Sequence, residues 1–246
     1  MGSRITAFVR PGKKPLILMN NYSLKKYAIL IFVGLSLYSF AGPVFSSETD
    51  TLPTSKLDWI MTNIKEKEKN LKTFTARMVQ TKKTRLLRDP LHSEGFIYFD
   101  YTGKTLLKIT APSPLIVLLK DNMLFLYYPD LSKVKETYIG NNVLRKYFGI
   151  GQSVEELRKR YVIRLMSETP SDGYHLELIP KHKTIAKHID SIEVTVNPED
   201  WLPQRICFKE KEGDWTAIRL EFISVNKPLP AGIFSISFPE NDDERF

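Results

Sequence analysis

Two neighbouring six-residue runs, Leu115–Lys120 (LIVLLK) and Met123–Tyr128 (MLFLYY), are apolar at almost every position. Between them stand only Asp121 and Asn122, residues that tolerate positive φ and so make a two-residue hairpin loop. An antiparallel strand with one wet face alternates apolar and polar side chains. These two do not alternate, so their sheet must be covered on one side and line something apolar on the other. The surrounding sequence has the same short-strand character. Gly95–Asp100 is rich in aromatic and β-branched residues and is turned by Tyr101-Thr102-Gly103-Lys104. Thr105–Thr110 follows, and Ala111-Pro112-Ser113-Pro114 breaks the ladder. Pro129-Asp130 closes the MLFLYY strand, and Val134–Ile139 opens another.

Upstream, Ser55 is placed to cap a helix, with Asp58 in the capping-box position. Leu57, Ile60, Met61, Ile64 and Leu71 then form one apolar stripe at helical spacing, and Lys65–Lys69 fill the polar sides as a solvated face. No second long helix is near enough to receive that stripe, so the sheet must. Phe74, Ala76, Met78 and Gln80 alternate with polar residues as a first strand, and Lys82–Asp89 reads as a basic loop. An irregular segment from Gly140 ends at Ser153-Val154-Glu155-Glu156, a capping box opening a short helix to about Arg160. Five further strands are predicted: Tyr161–Ser167, Tyr174–Ile179, Ile189–Val196, Gln204–Lys209 and Trp215–Val225. A last apolar piece, Ile233–Phe238, follows the turn at Lys227-Pro228-Leu229-Pro230. With roughly eleven strands, two helical insertions, no internal repeat and no linker, residues 47–246 read as one mainly β domain, a curved antiparallel sheet or barrel.

The formal charge of +8 invites a nucleic-acid partner, but its distribution argues against one. Residues 1–46 hold six basic and no acidic residues, and removing those six leaves 30 basic against 28 acidic. The same segment reads as a secretory signal: Lys25-Lys26, the apolar run Tyr27–Phe40, then the small residues Ala41, Gly42, Ser46 and Ser47. That run is shorter than the ~20 residues of a membrane span. Met19 is a more natural start than Met1. Cys207, the one cysteine, can make no internal disulfide, and its strand-like setting predicts a buried thiol. No metal or cofactor is expected. His92, His175, His182 and His188 are scattered without ligand spacing. No GxSxG, Gly-rich phosphate loop or HExxH occurs, and the adjacent carboxylate pairs sit on a cap and a tail.

The order of these parts resembles the periplasmic lipoprotein carrier family LolA: a signal peptide, an amphipathic first helix, F-x-A-x-x-x-Q (Phe74 to Gln80) and a G-x-I-Y-F strand from Gly95. The segment D-N-M-L-F-L-Y-Y-P-D-L (Asp121 to Leu131) and the late F-S-I-S-F-P (Phe234 to Pro239) complete the likeness. The resemblance covers residues 52 to about 240 and implies an unclosed antiparallel β-barrel with a helical lid over an apolar cavity. It implies a periplasmic carrier without enzymatic activity that takes lipoprotein acyl chains from an inner-membrane ABC transporter to an outer-membrane acceptor. One position departs: where the family often has an Arg-Pro pair whose arginine latches the lid, this chain has Tyr101-Thr102.

On this basis Ile97, Phe99, Leu107, Ile109, Ile116, Leu118, Leu124 and Leu126 are the expected cavity lining, and Leu57, Ile60, Met61 and Ile64 the expected lid. Alternation gives no polar reference on the two doubly apolar strands, so their inward face is open. Composition alone fits an ordinary filled core as well. Partners are expected to be lipoproteins and the two membrane components, with no nucleic acid, and the carrier is expected to be a monomer. Carriage of another lipid, such as a glycolipid, and an envelope-stress sensor of the same fold are the alternative readings.

Overall fold

The computed structural model describes residues 55–138, 154–169 and 172–238. The leader and the irregular segment from Gly140, including the Ser153 cap, lie outside the described residues. Helix α1 spans Lys56–Lys69 and begins where Ser55 caps it, the Ser55 hydroxyl accepting from the Asp58 N–H at 3.1 Å. Six strands follow: β1 (Thr73–Lys83), β2 (Leu91–Asp100), β3 (Lys104–Ala111), β4 (Leu115–Lys120), β5 (Met123–Tyr128) and β6 (Lys133–Tyr138). Then come α2 (Val154–Arg160), β7 (Tyr161–Thr169), β8 (Gly173–Pro180), a one-turn helix α3 (Lys183–Ala186), β9 (Ile189–Val196), β10 (Pro203–Glu210) and β11 (Trp215–Val225). The first and second strands run longer than the sequence suggests, and α3 occupies what reads as a loop. Ile233–Phe238 joins no strand.

All eleven strands form one sheet in the order β6-β5-β4-β3-β2-β1-β11-β10-β9-β8-β7, every pairing antiparallel. The chain thus makes two meanders that meet at the β1–β11 pair, and among the described residues β6 and β7 are the edges. The barrel is unclosed. Asp121 and Asn122 both take positive φ, at 52° and 63°, as the two-residue loop requires. Gly95 is needed for a different reason: a Cβ there would lie 2.1 Å from the Lys108 carbonyl oxygen, so β2 and β3 approach closely only at glycine.

The concave face is apolar along both meanders. On one side Met78, Leu107, Ile109, Val117, Leu119, Leu124 and Leu126 are buried together. On the other, Ile60 and Met61 of α1 pack with Tyr161, Leu176, Leu178, Ile189, Ile192 and Phe208. Each such side chain contributes about 1.5–3 kcal/mol on leaving water, so burying the α1 stripe is what holds a 14-residue helix against the sheet.

The double apolarity of β4 and β5 has its explanation in the same register. Leu107 pairs with Val117 and Val117 with Leu126, so the odd-numbered residues of β4 face inward. Leu106, Leu118 and Phe125 form the matching row on the convex side. There the C-terminal piece returns over the sheet: Phe238 stacks on Phe125 at 5.2 Å and meets Tyr127 edge-on at 5.6 Å. Ile116 and Leu118, expected in the cavity, are therefore on the opposite face. Leu118 is only 2% exposed because it is sealed there, not because it lines the interior.

Candidate functional site

Between α1, α2 and the concave sheet lies a cavity of about 230 Å³. Alternation builds its walls: Ile192, Val194 and Val196 point inward on β9, while Glu193 and Thr195 point out. Ile206 of β10 stands between Val194 and Ile218, its cross-strand partners, and Leu220 follows Ile218 on β11. Met78 and Gln80 of β1, Ile97 of β2 and Leu107 of β3 complete the far wall. Met61 and Ile64 of α1 and Leu157 of α2 form the roof. Val194, Ile206, Ile218 and Leu220 are only half-buried although they face inward, as expected of residues bordering empty space.

Of the expected barrel-lining residues, Ile97 and Leu107 reach the cavity. Ile109, Leu124 and Leu126 share its concave face but lie in the solid core beside it. Phe99 belongs to the rim, stacked on Phe74 at 5.1 Å in a cluster with Leu71 and Leu202. Ile116 and Leu118 are on the outer face, as described above. Of the helix residues, Met61 and Ile64 border the cavity, while Leu57 and Ile60 pack into the core under α1. Most of the lining comes from β7–β11, where the sequence alone led to no expected cavity residue. On β9 the signal was present as the alternation of Ile192, Val194 and Val196 with Glu193 and Thr195, whereas the run Ile206-Cys207-Phe208 on β10 gives none.

The helix is fastened differently at its two ends. At the N-terminal end Trp59 meets Trp201 edge-on at 5.1 Å and Tyr174 at 6.1 Å, and those two rings stack on each other at 5.3 Å. Lys56 lies over the Trp59 ring at 4.9 Å and pairs with Glu168 at 3.2 Å, and Asp58 pairs with Arg158 of α2. Trp201 itself sits at φ 60°, an unusual conformation for a bulky residue, in a turn where its N–H donates to the Asn197 carbonyl at 2.9 Å. At the C-terminal end Asn226 ties the exit to β11: its side chain accepts from the Lys72 N–H at 2.7 Å and donates to the Asn70 carbonyl at 2.8 Å. One end is held by side chains that can part, the other by bonds to the backbone that leads into β1.

Nothing in the cavity offers a catalytic constellation. Among the described residues its polar borders are Gln80 and, at the helix end, Lys67 and Glu68. Among the described residues no three metal-ligating side chains come together, and no helix is long and apolar enough to cross a membrane. Cys207 is buried on the opposite side of β10 from the cavity, and burial raises its thiol pKa.

Solved structures with a similar chain path include a putative outer membrane lipoprotein-sorting protein domain from Vibrio parahaemolyticus, 13% identical over 72% of this chain and 94% of that one, with a TM-score of 0.40. A LolA superfamily protein from Nitrosomonas europaea is 14% identical over 71% and 96% of the two chains, with a TM-score of 0.37. The lipoprotein LppX of Mycobacterium tuberculosis is 9% identical over 72% and 99%, with a TM-score of 0.44. Among curated proteins, none matches the chain in sequence. The sequence profile of the outer membrane lipoprotein carrier protein LolA matches residues 69–237, which run from the end of α1 through every strand to the C-terminal piece, and the chain belongs to that family.

Proposed function

We propose that this protein is an exported carrier that shields the acyl chains of lipoproteins in the cavity beneath α1 and moves them between the inner and outer membranes. The observation that carries this reading is an apolar cavity roofed by a helix whose N-terminal end, among the described residues, is held by side-chain contacts. A chain of roughly fifteen methylenes costs on the order of 12 kcal/mol to hold in water, at about 0.8 kcal/mol per CH₂. A carrier must offset most of that cost and still release its cargo. The cavity of 230 Å³ is below the ~300 Å³ at which ligand pockets usually begin, so loading requires α1 to move outward. Closing it again re-buries Met61 and Ile64, which lowers net affinity and favours release. The role involves binding and no bond chemistry. The proposal extends to loading from an inner-membrane ABC transporter and delivery to an outer-membrane acceptor, a route that family membership supports.

The test is uptake of a fluorescent fatty-acyl probe by the purified mature protein and by Leu220→Trp, which places an indole in the cavity opposite Met78. The wild type should bind with saturable fluorescence, and the variant should stay folded while losing at least tenfold in affinity. A folded wild type that binds no acyl probe, or a variant that binds it equally well, would overturn the reading.

A further inference from the structure

Antiparallel pairing sorts the turns of the eleven strands to two ends of the sheet. At the end where α1 meets Tyr174 and Trp201, the strand-joining turns hold Asp121, Asp172, Glu199 and Asp200 and no lysine or arginine. At the opposite end, the turns of residues 84–90, 112–114, 129–132, 181–188 and 211–214 hold six basic residues against four acidic ones. The excess lies in 181–188, where Lys181, Lys183 and Lys187 stand exposed beside His182 and His188, with no carboxylate in the segment. Arg88, Lys183 and Lys187 form no ion pair among the described residues.

Three of these turns are joined into one surface. The Arg85 N–H donates to the Asp214 carboxylate at 2.9 Å and its guanidinium to Glu212 at 2.8 Å. The Lys211 N–H donates to the His188 carbonyl at 3.0 Å. On this base the β1–β2 turn holds out Leu86, 83% exposed, and Leu87 beside it. The tip is braced: the Leu86 N–H donates to the Thr84 hydroxyl at 3.0 Å and the Lys83 ammonium to the Arg88 carbonyl at 2.7 Å. Leu131 is exposed on the β5–β6 turn at the same end. A single exposed leucine is ordinary. Two adjacent leucines on a braced tip, joined to a run of unneutralised lysines, combine the two attractions that hold a protein on an anionic bilayer. The α1 end also exposes Tyr101 and Tyr138, but its acidic turns repel such a surface. Charge therefore selects the end.

We propose that the end of the sheet away from α1 docks on an anionic phospholipid surface, with Leu86 and Leu87 entering the headgroup region and Arg88, Lys183 and Lys187 meeting the anionic headgroups. Docked in this way, the protein keeps α1 turned to the aqueous side. None of these five residues lines the cavity, so the docking surface stands apart from the carrier reading.

The experiment is flotation of the purified mature protein with vesicles of phosphatidylcholine alone and of an equimolar mixture of phosphatidylcholine and phosphatidylglycerol. The wild type should float with the mixed vesicles, stay behind with the neutral ones, and come off the mixed ones in high salt. The double variant Lys183→Gln, Lys187→Gln should partition roughly twenty- to thirtyfold more weakly, since each basic residue near such a surface is worth about fivefold. The double variant Leu86→Ser, Leu87→Ser should lose at least about tenfold. Both should keep the wild-type urea midpoint and the wild-type uptake of the acyl probe. Either variant floating as the wild type does, or a wild type that floats equally with neutral vesicles, would overturn the docking surface and leave the carrier reading intact. A wild type that floats with neither would also overturn it and leave the leucine tip to a protein partner. Failure of acyl-probe uptake beside normal flotation would count against the carrier reading alone.

Discussion

Trp59→Ala releases the N-terminal clamp of α1 and leaves the stripe beneath it untouched. Trp59 makes two edge-on ring contacts, at 5.1 Å to Trp201 and 6.1 Å to Tyr174, and receives Lys56 at 4.9 Å. An aromatic pair is worth about 0.5–1.5 kcal/mol beyond its buried area, and a cation over a ring at an exposed site about 0.5–1 kcal/mol. Together they come to roughly 1.5–4 kcal/mol that is present only when the helix is seated. The neighbouring pairs, Lys56–Glu168 and Asp58–Arg158, join partly exposed groups and add little, about 0.2–1 kcal/mol each. Since 1.4 kcal/mol is a factor of ten, losing the Trp59 contacts should raise the ratio of open to seated helix by about ten- to several-hundred-fold. Affinity for cargo is reduced by the fraction of protein that is competent to bind, so the variant should take up the acyl probe faster and more tightly until the open form dominates. Stopped-flow fluorescence measures the rate and equilibrium titration the affinity. A variant that is less stable to urea but loads at the wild-type rate and affinity would show that Trp59 only supports the fold, and that α1 is fixed packing.

Three other perturbations test separate parts of the structure. Leu118→Glu should abolish the folded circular-dichroism signal, because an unpaired carboxylate among Leu106 and Phe125 on the sealed outer face costs several kcal/mol; a folded variant with impaired probe binding would instead put Leu118 in the cavity. Burial raises the pKa of both Tyr128 and Cys207. A raised folded pKa means the native state holds its proton more tightly, so this stability is fully present below the unfolded values of about 8.5 for Cys and 10 for Tyr and is lost as pH climbs through the folded ones. Urea midpoints should thus be level near neutrality and fall above about pH 9, with Cys207 reacting far more slowly with a thiol reagent in the native protein than in urea; a midpoint rising through that range would contradict the assignment. N-terminal sequencing of the envelope-localised protein should find cleavage between Ala41 and Glu48, and an intact Tyr27–Phe40 segment in the membrane fraction would refute export by a cleaved leader.

The strands were legible because turn chemistry marks their ends. Asp121-Asn122, Ala111–Pro114 and Pro129-Asp130 each stop a ladder, and the eleven strands fall where those stops allow. The cavity was harder to read, and for two different reasons. The inward face of β4 was encoded in the hairpin itself. A two-residue loop at positions 121 and 122 pairs Lys120 with Met123, and counting outward pairs Leu119 with Leu124 and Val117 with Leu126. Choosing Leu124 and Leu126 as inward therefore excludes Leu118 and Ile116, since cross-strand partners share a face. The strand composition hid what the turn disclosed. The position of the cavity along the sheet was not encoded locally at all. Leu124 and Leu107 look alike in sequence, and only the path of α1 across the β7–β11 meander leaves one in solid core and the other beside open space. The fastening of that helix follows the same logic. Its N-terminal end is held by Trp59, Tyr174 and Trp201, three residues more than a hundred positions apart at the extremes. Local patterns therefore specify strands and faces here, whereas the seat of α1 and the space beneath it arise from where two meanders and one helix meet.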